Sequence, residues 1–129
     1  MPRTILSGDD LTADILGVPD WTSMTLLNSW TNTGGANPTA KFRKWKQLNS
    51  VECVGCINAG TLTDATTIAA LVDAPASQQF RVAIVEASTG TAQVKTPMFY
   101  VDTSANLKIQ SIPSSTTTLT FHFWYSLDA

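Results

Sequence analysis

The sequence has little charge and few of the residues that carry out catalysis. Only 14% of its 129 residues are Asp, Glu, Lys or Arg, and it contains one histidine and two cysteines. A disordered chain would carry more charge and fewer aromatic residues. No stretch approaches the roughly 18 consecutive apolar residues of a membrane-spanning helix. The first residues also lack the pattern of a signal peptide, so we expect a folded domain that is made in a cytoplasm and does not contact membrane.

The formal net charge of −2 argues against nucleic acid or an anionic membrane as a partner, since both require an excess of basic residues. The charges are unevenly placed. Residues 1–20 hold four aspartates against one arginine, and residues 41–46 hold four basic side chains. The two segments could dock on other copies of the chain or on a charged partner, or they could be two solvated surfaces.

No pattern of catalytic, metal-binding or cofactor-binding residues is present. The single histidine, His122, lies between two phenylalanines in a strand-like segment, and no strained nucleophile motif accompanies it. Cys53 and Cys56 have redox spacing, but they also lie in a strand-like segment, where residues three apart point to opposite faces. We therefore expect two buried thiols and a protein that is not an enzyme and needs no cofactor.

Abundant Thr, Ser and Asn with alternating apolar residues indicate short strands joined by polar turns. The pattern predicts an all-β fold, an antiparallel β-sandwich, because strands and turns recur at intervals of about ten residues. For one further segment, residues 66–72, the pattern fits a helix, a strand or a loop. The predicted strands cover residues 25–30, 41–46, 51–58, 80–85, 98–101, 107–110 and 117–126.

The chain divides into an N-terminal arm, residues 1–20, and a sandwich domain, residues 21–129. The arm has no aromatic residue and is too short for a core of its own. Ser7 could cap a helix that runs through Leu16 and stops at Gly17, or the arm could be extended. We expect the arm to dock on a partner through Ile5, Leu6, Asp9, Asp10, Leu11, Ile15 and Leu16.

A second contact surface is predicted where basic and aromatic residues interleave. The alternation in residues 41–46 places Phe42, Lys44 and Lys46 on one face and Lys41, Arg43 and Trp45 on the other. Such interleaving occurs on surfaces that bind single-stranded nucleic acid, but one short run on an acidic chain favours a saccharide, on which aromatic rings stack. The predicted surface consists of Lys44, Trp45, Lys46 and Trp124.

Several motifs, taken in order, resemble the small β-sandwich head domains of tailed-bacteriophage virion proteins. The most distinctive runs from Trp21 to Asn32, with Leu26, Asn28 and Trp30 at the positions of an L-x-N-G-W pattern. Ser29 replaces the usual glycine of that pattern. Further segments resemble the family, namely residues 42–44, 51–60, 67–71, 106–109 and 119–125. Residues 72–75 depart from its loop, and Asn106 replaces a turn glycine.

The resemblance implies a jelly-roll-like sandwich that assembles as a homotrimer in a virion, after synthesis in the bacterial host cytoplasm. Four Trp, five Phe and two Tyr are more large rings than one small core holds, which fits rings covered by a neighbouring copy. A head with only a short arm suits a capsid decoration protein that docks on the major capsid protein. The alternative is a tail-fibre or baseplate head that binds a host saccharide, and a non-phage carbohydrate-binding module is a second alternative.

Overall fold

The protein was analysed as a computed structural model that describes residues 17–87 and 97–129. The described residues form strands and one short 3-10 turn, Lys46–Leu48. The strands are β1 (Thr22–Ser23), β2 (Thr25–Leu26), β3 (Thr31–Asn32), β4 (Lys41–Trp45), β5 (Ser50–Asn58), β6 (Thr67–Ala70), β7 (Gln79–Val82), β8 (Ile84–Ala87), β9 (Met98–Val101), β10 (Asn106–Gln110) and β11 (Thr116–Ser126).

The strands form two antiparallel sheets, as expected for the predicted sandwich. The first sheet has the order β1-β4-β5-β11-β8, and β3 also pairs with β5. The second has the order β2-β6-β10-β9-β7. The longest ladder joins β5 to β11, with register from Ser50 opposite Ser126 to Asn58 opposite Thr118. This ladder is the centre of the first sheet and fixes which side chains face the core.

Aromatic rings fill much of the space between the sheets. On β11, Phe121, Phe123 and Tyr125 point inward, as the alternation predicted, and their side chains are buried. Phe99 of β9 meets Phe123 across the core with ring centroids 4.6 Å apart. Opposite Phe121 lies Gly55, where an added Cβ would come within 2.7 Å of the Phe121 ring. The ring therefore occupies the space that a side chain at position 55 would need.

The strand predicted for residues 25–30 is wrong in its length. β2 ends at Leu26, and a turn follows in which Asn28 and Ser29 have φ values of 53° and 68°. Left-handed backbone cannot continue a strand. The glycine that Ser29 replaces in the resembled motif is the residue best suited to this conformation.

The structure divides one predicted strand in two and assigns the ambiguous segment, residues 66–72, to a strand. Residues 80–85 do not form one strand, because the chain bends at buried Ala83 and passes from β7 in the second sheet to β8 in the first. Within residues 66–72, the structure has a strand, β6, and not a helix. Asp64, which precedes this segment, accepts a hydrogen bond from the Ser111 backbone N–H at 2.7 Å.

The predicted strands 98–101 and 107–110 pair as the hairpin β9–β10, but the residue in the left-handed conformation of its turn is not the expected Asn106. Asn106 begins β10, and the left-handed residue is its neighbour Ala105, with φ 63°. Asp102 organises this turn by accepting hydrogen bonds from the backbone N–H groups of Ser104 and Asn106, each at 2.9 Å. The arm residues 5–16 lie outside the described residues, so neither the helical nor the extended conformation considered for them is tested.

Replacing Ser29 by glycine is expected to stabilise the protein by about 0.5–1 kcal/mol. A left-handed conformation costs a residue with a Cβ roughly 1–2 kcal/mol, and the greater chain entropy of glycine offsets part of the gain. Chemical denaturation measures the free energy of unfolding. Ser114→Gly is the control, because Ser114 is also exposed but has an ordinary φ, so glycine should lower stability there. Equal effects of the two substitutions would contradict this account.

Candidate ligand-binding face

The outward side of the first sheet gathers aromatic and charged residues from three neighbouring strands. Because β4, β5 and β11 are adjacent and their side chains alternate, Arg43 lies opposite Glu52, and Glu52 lies opposite Trp124. The next outward residues are Trp45 on β4 and His122 on β11. Sheet pairing thus brings together residues that are about 80 positions apart in the chain.

Three indole rings and one guanidinium form a continuous stack across this side of the sheet. The Arg43 guanidinium lies 4.0 Å from the ring centroid of Trp21 and 4.8 Å from that of Trp45. The Trp45 and Trp124 centroids are 5.7 Å apart, with an interplanar angle of 37°. Both the cation–ring and the ring–ring spacings are attractive. We call this surface the tryptophan face and define it as Trp21, Arg43, Trp45, Glu52, His122 and Trp124.

Glu52 lies beneath the stack and accepts a hydrogen bond from each of its three polar neighbours. Its Oε1 accepts from Arg43 Nε at 2.8 Å and from Trp45 Nε1 at 3.0 Å. Its Oε2 accepts from His122 Nε2 at 2.6 Å. Glu52 is 5% exposed, so the carboxylate is held largely out of water by the groups that bind it. Such charge-assisted bonds are stronger than neutral ones.

These contacts decide the ionisation of Glu52. Burial alone would raise the pKa of its carboxyl group, but the hydrogen bonds from His122, Arg43 and Trp45 outweigh that effect and lower it. The positive charge of Arg43 acts in the same direction. Glu52 is therefore ionised at neutral pH and provides a fixed negative charge under the rings.

The accessible parts of the tryptophan face are an indole and an imidazole. Trp124 is 38% exposed, and 59% of the His122 side chain is exposed. A flat apolar ring beside exposed hydrogen-bonding groups suits a ligand with an apolar face and polar edges. The carboxylate oxygens are already occupied, so ligand polar groups would meet the imidazole and the margins of the stack.

The structure separates the four residues predicted as the second contact surface. Trp45 and Trp124 are brought together in the stack. Lys44 points to the other side of the sheet, where its Nζ lies 3.4 Å from Asp73 Oδ1. Lys46 is exposed in the 3-10 turn. The predicted arm residues lie outside the described parts of the chain, and their docking role stays a prediction.

Sequence reasoning missed Trp21, Arg43 and Glu52 as members of the candidate site. The alternation already placed Arg43 with Trp45, and along the predicted strand 51–58 the same alternation places Glu52 on the face opposite to Cys53. The missing information was strand pairing, since β4, β5 and β11 had to be neighbours for these side chains to meet. His122, which no catalytic motif accompanies in the sequence, is a hydrogen-bond partner of Glu52 and is exposed.

The two cysteines occupy opposite sides of β5, as predicted. Cys53 is in the core, and burial raises the pKa of its thiol. Cys56 faces outward and lies 3.4 Å from the hydroxyl oxygens of both Thr33 and Thr120. Both thiols are free and buried. Within residues 17–87 and 97–129, no group of His, Cys, Asp and Glu could hold a metal ion, and no helix is long and apolar enough to cross a membrane.

Comparison with known proteins supports the fold. No protein-family model matches the chain, and no curated protein matches it. Among solved structures, the chain is similar to the crystal structure of the receptor binding protein (gp15) of Listeria phage PSA, with a TM-score of 0.57 and 18% identity. The similarity covers 92% of this chain and 75% of that one. Because the identity is low, the similarity shows a shared fold alone. At the level of the fold, the similarity confirms the resemblance to phage head domains.

Glu52→Gln is expected to remove a part of the stability that depends on pH. Because the pKa of Glu52 is lowered in the folded protein, its contribution is full above the pKa of the unfolded chain and is lost as pH falls through the folded value. At pH 7 the variant should be less stable by about 1–2 kcal/mol. At low pH, when the carboxyl is protonated, the difference should disappear. Denaturation curves across pH measure this, and a difference that is constant with pH would contradict it.

Proposed function

We propose that the chain is a non-enzymatic component of a bacteriophage virion and that it acts as a receptor-binding head in host attachment. Its fold is that of a phage receptor-binding protein, and no catalytic grouping accompanies the tryptophan face in the described residues. The structural neighbour is the receptor binding protein of a Listeria phage. It therefore favours host adhesion over the capsid decoration that the sequence led us to expect.

The observation that carries the proposal is the exposed end of the tryptophan face. Large rings that remain partly exposed in a small sandwich are candidate contact surfaces. Trp124 presents one indole to solvent, while Trp45 supports it from the other side at 5.7 Å. A contact residue held in this way loses little side-chain freedom on binding, which favours affinity.

A saccharide of the host surface is the ligand class that this chemistry fits. The C–H face of a sugar ring can pack on the indole of Trp124, and its hydroxyl groups can bond to the exposed His122 imidazole. Arg43 is less available to hydrogen-bond a sugar than His122 is, because its Nε is bound to Glu52 and its guanidinium is stacked between two rings. One such subsite would bind weakly, so attachment would depend on several copies acting together.

Trp124→Ala is expected to reduce binding to bacterial surface glycans at least about tenfold, because an aromatic ring at the centre of a contact commonly contributes that much. Binding of the purified protein to an array of bacterial surface polysaccharides measures the effect. Trp124→Phe keeps a ring on which a sugar can pack and should retain most of the binding.

Val72→Ala is the control for the Trp124 substitutions, because Val72 is 74% exposed in the loop between β6 and β7, outside the tryptophan face. It should bind as the unchanged protein does. Full binding by Trp124→Ala would exclude the tryptophan face as the receptor site. Absence of any array binding by the unchanged protein would count against saccharide recognition altogether.

We also propose that the head is a homotrimer, and one surface of the described residues fits an interface between copies. Phe80, Val82 and Ile84 are alternate residues along the segment that bends from β7 into β8, and they are 45%, 70% and 70% exposed. Among the strands of residues 17–87 and 97–129, β7 and β8 lie at the edges of their sheets. An apolar stripe along an unpaired edge invites association.

Val82→Glu is expected to convert trimers to monomers, because a charge in the middle of the stripe would have to be buried without a partner. The mass in solution, measured by light scattering after size exclusion, reports the change. Val72→Glu introduces the same charge at a similarly exposed valine away from the stripe and should leave the trimer intact. Monomers of the unchanged protein would refute the trimer, and trimers of Val82→Glu would refute this interface.

A further inference from the structure

One buried carboxylate, that of Glu52, binds both central members of the stack, the Trp45 indole and the Arg43 guanidinium. Glu52 accepts the indole N–H of Trp45 at 3.0 Å and the Nε–H of Arg43 at 2.8 Å on the same oxygen. Its backbone lies on β5, between the strands that carry Trp45 and Trp124. The side chain is therefore anchored in the middle of the sheet and reaches the rings from below.

Without this acceptor, the geometry of Trp45 would be poorly determined. The indole is only partly buried, and in the described residues its one polar contact is the bond to Glu52. Stacking fixes the distance of the Trp45 ring from Arg43 and Trp124 more closely than it fixes the tilt of the ring, because ring contacts tolerate a range of angles. A directional hydrogen bond to a buried charge supplies the missing restraint.

We propose that Glu52 is the positioning residue of the tryptophan face: it holds Trp45 at a fixed tilt against Trp124, so that the exposed indole offers a rigid surface to a sugar ring. The proposal rests on the proposed function for its ligand, but its structural part can be tested without one. Glu52 itself is 5% exposed and has little surface to offer a saccharide. Its effect on binding passes through Trp45 and Trp124.

A carboxylate suits this position better than an amide or an apolar side chain. It only accepts hydrogen bonds, and its neighbours Arg43, Trp45 and His122 all present donors. Glutamine keeps an oxygen that can still serve Trp45 and Arg43, but it directs an NH₂ group toward His122. Valine removes every acceptor while keeping a side chain suited to a strand.

The test is the circular dichroism couplet that two indoles produce when their transitions couple at close range. The sign and amplitude of such a couplet depend on the angle between the rings, and the two rings here are 5.7 Å apart. Trp124→Phe should abolish the couplet, which would assign the couplet to the Trp45–Trp124 pair. Spectra of folded Glu52→Val, Glu52→Gln and Val54→Ala are then compared with the unchanged protein. Val54 is the control because it also faces outward from β5, next to Glu52 in the outward row.

The couplet should be lost or strongly reduced in Glu52→Val, partly kept in Glu52→Gln, and unchanged in Val54→Ala. Binding on the polysaccharide array should fall in the same order, about tenfold for Glu52→Val. A full couplet in folded Glu52→Val would overturn the positioning role, and so would equal losses in Glu52→Val and Val54→Ala.

Array binding and the circular dichroism couplet test the proposed function and the positioning role of Glu52 separately. If the unchanged protein binds no polysaccharide but the couplet follows the expected order, the proposed function fails and the positioning of Trp45 stands. If the unchanged protein binds and Glu52→Val binds equally well with an altered couplet, the role of ring tilt in recognition is refuted.

Discussion

The antiparallel ladder between β5 and β11 is the constraint on which the rest of the structure depends. Its register runs from Ser50 opposite Ser126 to Asn58 opposite Thr118, longer than any other pairing among the described strands. Since side chains alternate along a strand, this register directs Cys53 and Phe123 into the core and Glu52 and Trp124 to the outside. A shift of one residue would exchange the two sets, so the core and the tryptophan face are determined together.

The sequence predicted which face of a strand each side chain occupies better than it predicted which strands pair with each other. Alternation alone separated Cys53 from Cys56 and placed Trp124 outward from the core, because a strand has a strict period of two residues. It could not show that Arg43 and His122 would meet at Glu52, since their contact depends on which strands are neighbours. Pairing over such sequence distances is set by tertiary packing, which no local pattern records.

The remaining errors have local causes that propensities do not reveal. At Ser29 and Ala105, residues with a Cβ adopt left-handed backbone, where a sequence pattern looks for glycine or asparagine. At Ala83, the alternation continues through a bend that moves the chain from one sheet to the other. Alternation is a property of extended backbone and survives such a bend, so residues 80–85 looked like one strand although they serve two sheets.

The fold is shared with the phage receptor binding protein at 18% identity, so the outward positions of the sheets can differ between the two proteins. These positions can change with little cost to the core, because the inward residues on the same strands are packed independently of them. In the tryptophan face, the Trp45 ring is hydrogen-bonded to a buried charge on the central ladder. Hydrogen bonds from three donors offset part of the free energy that is needed to remove the carboxylate from water. Two of those donors, Trp45 and His122, flank the exposed indole of Trp124. A surface built in this way is pre-ordered by the sheet, so its selectivity would come from the shape of a fixed ring and not from a loop that adapts to its ligand.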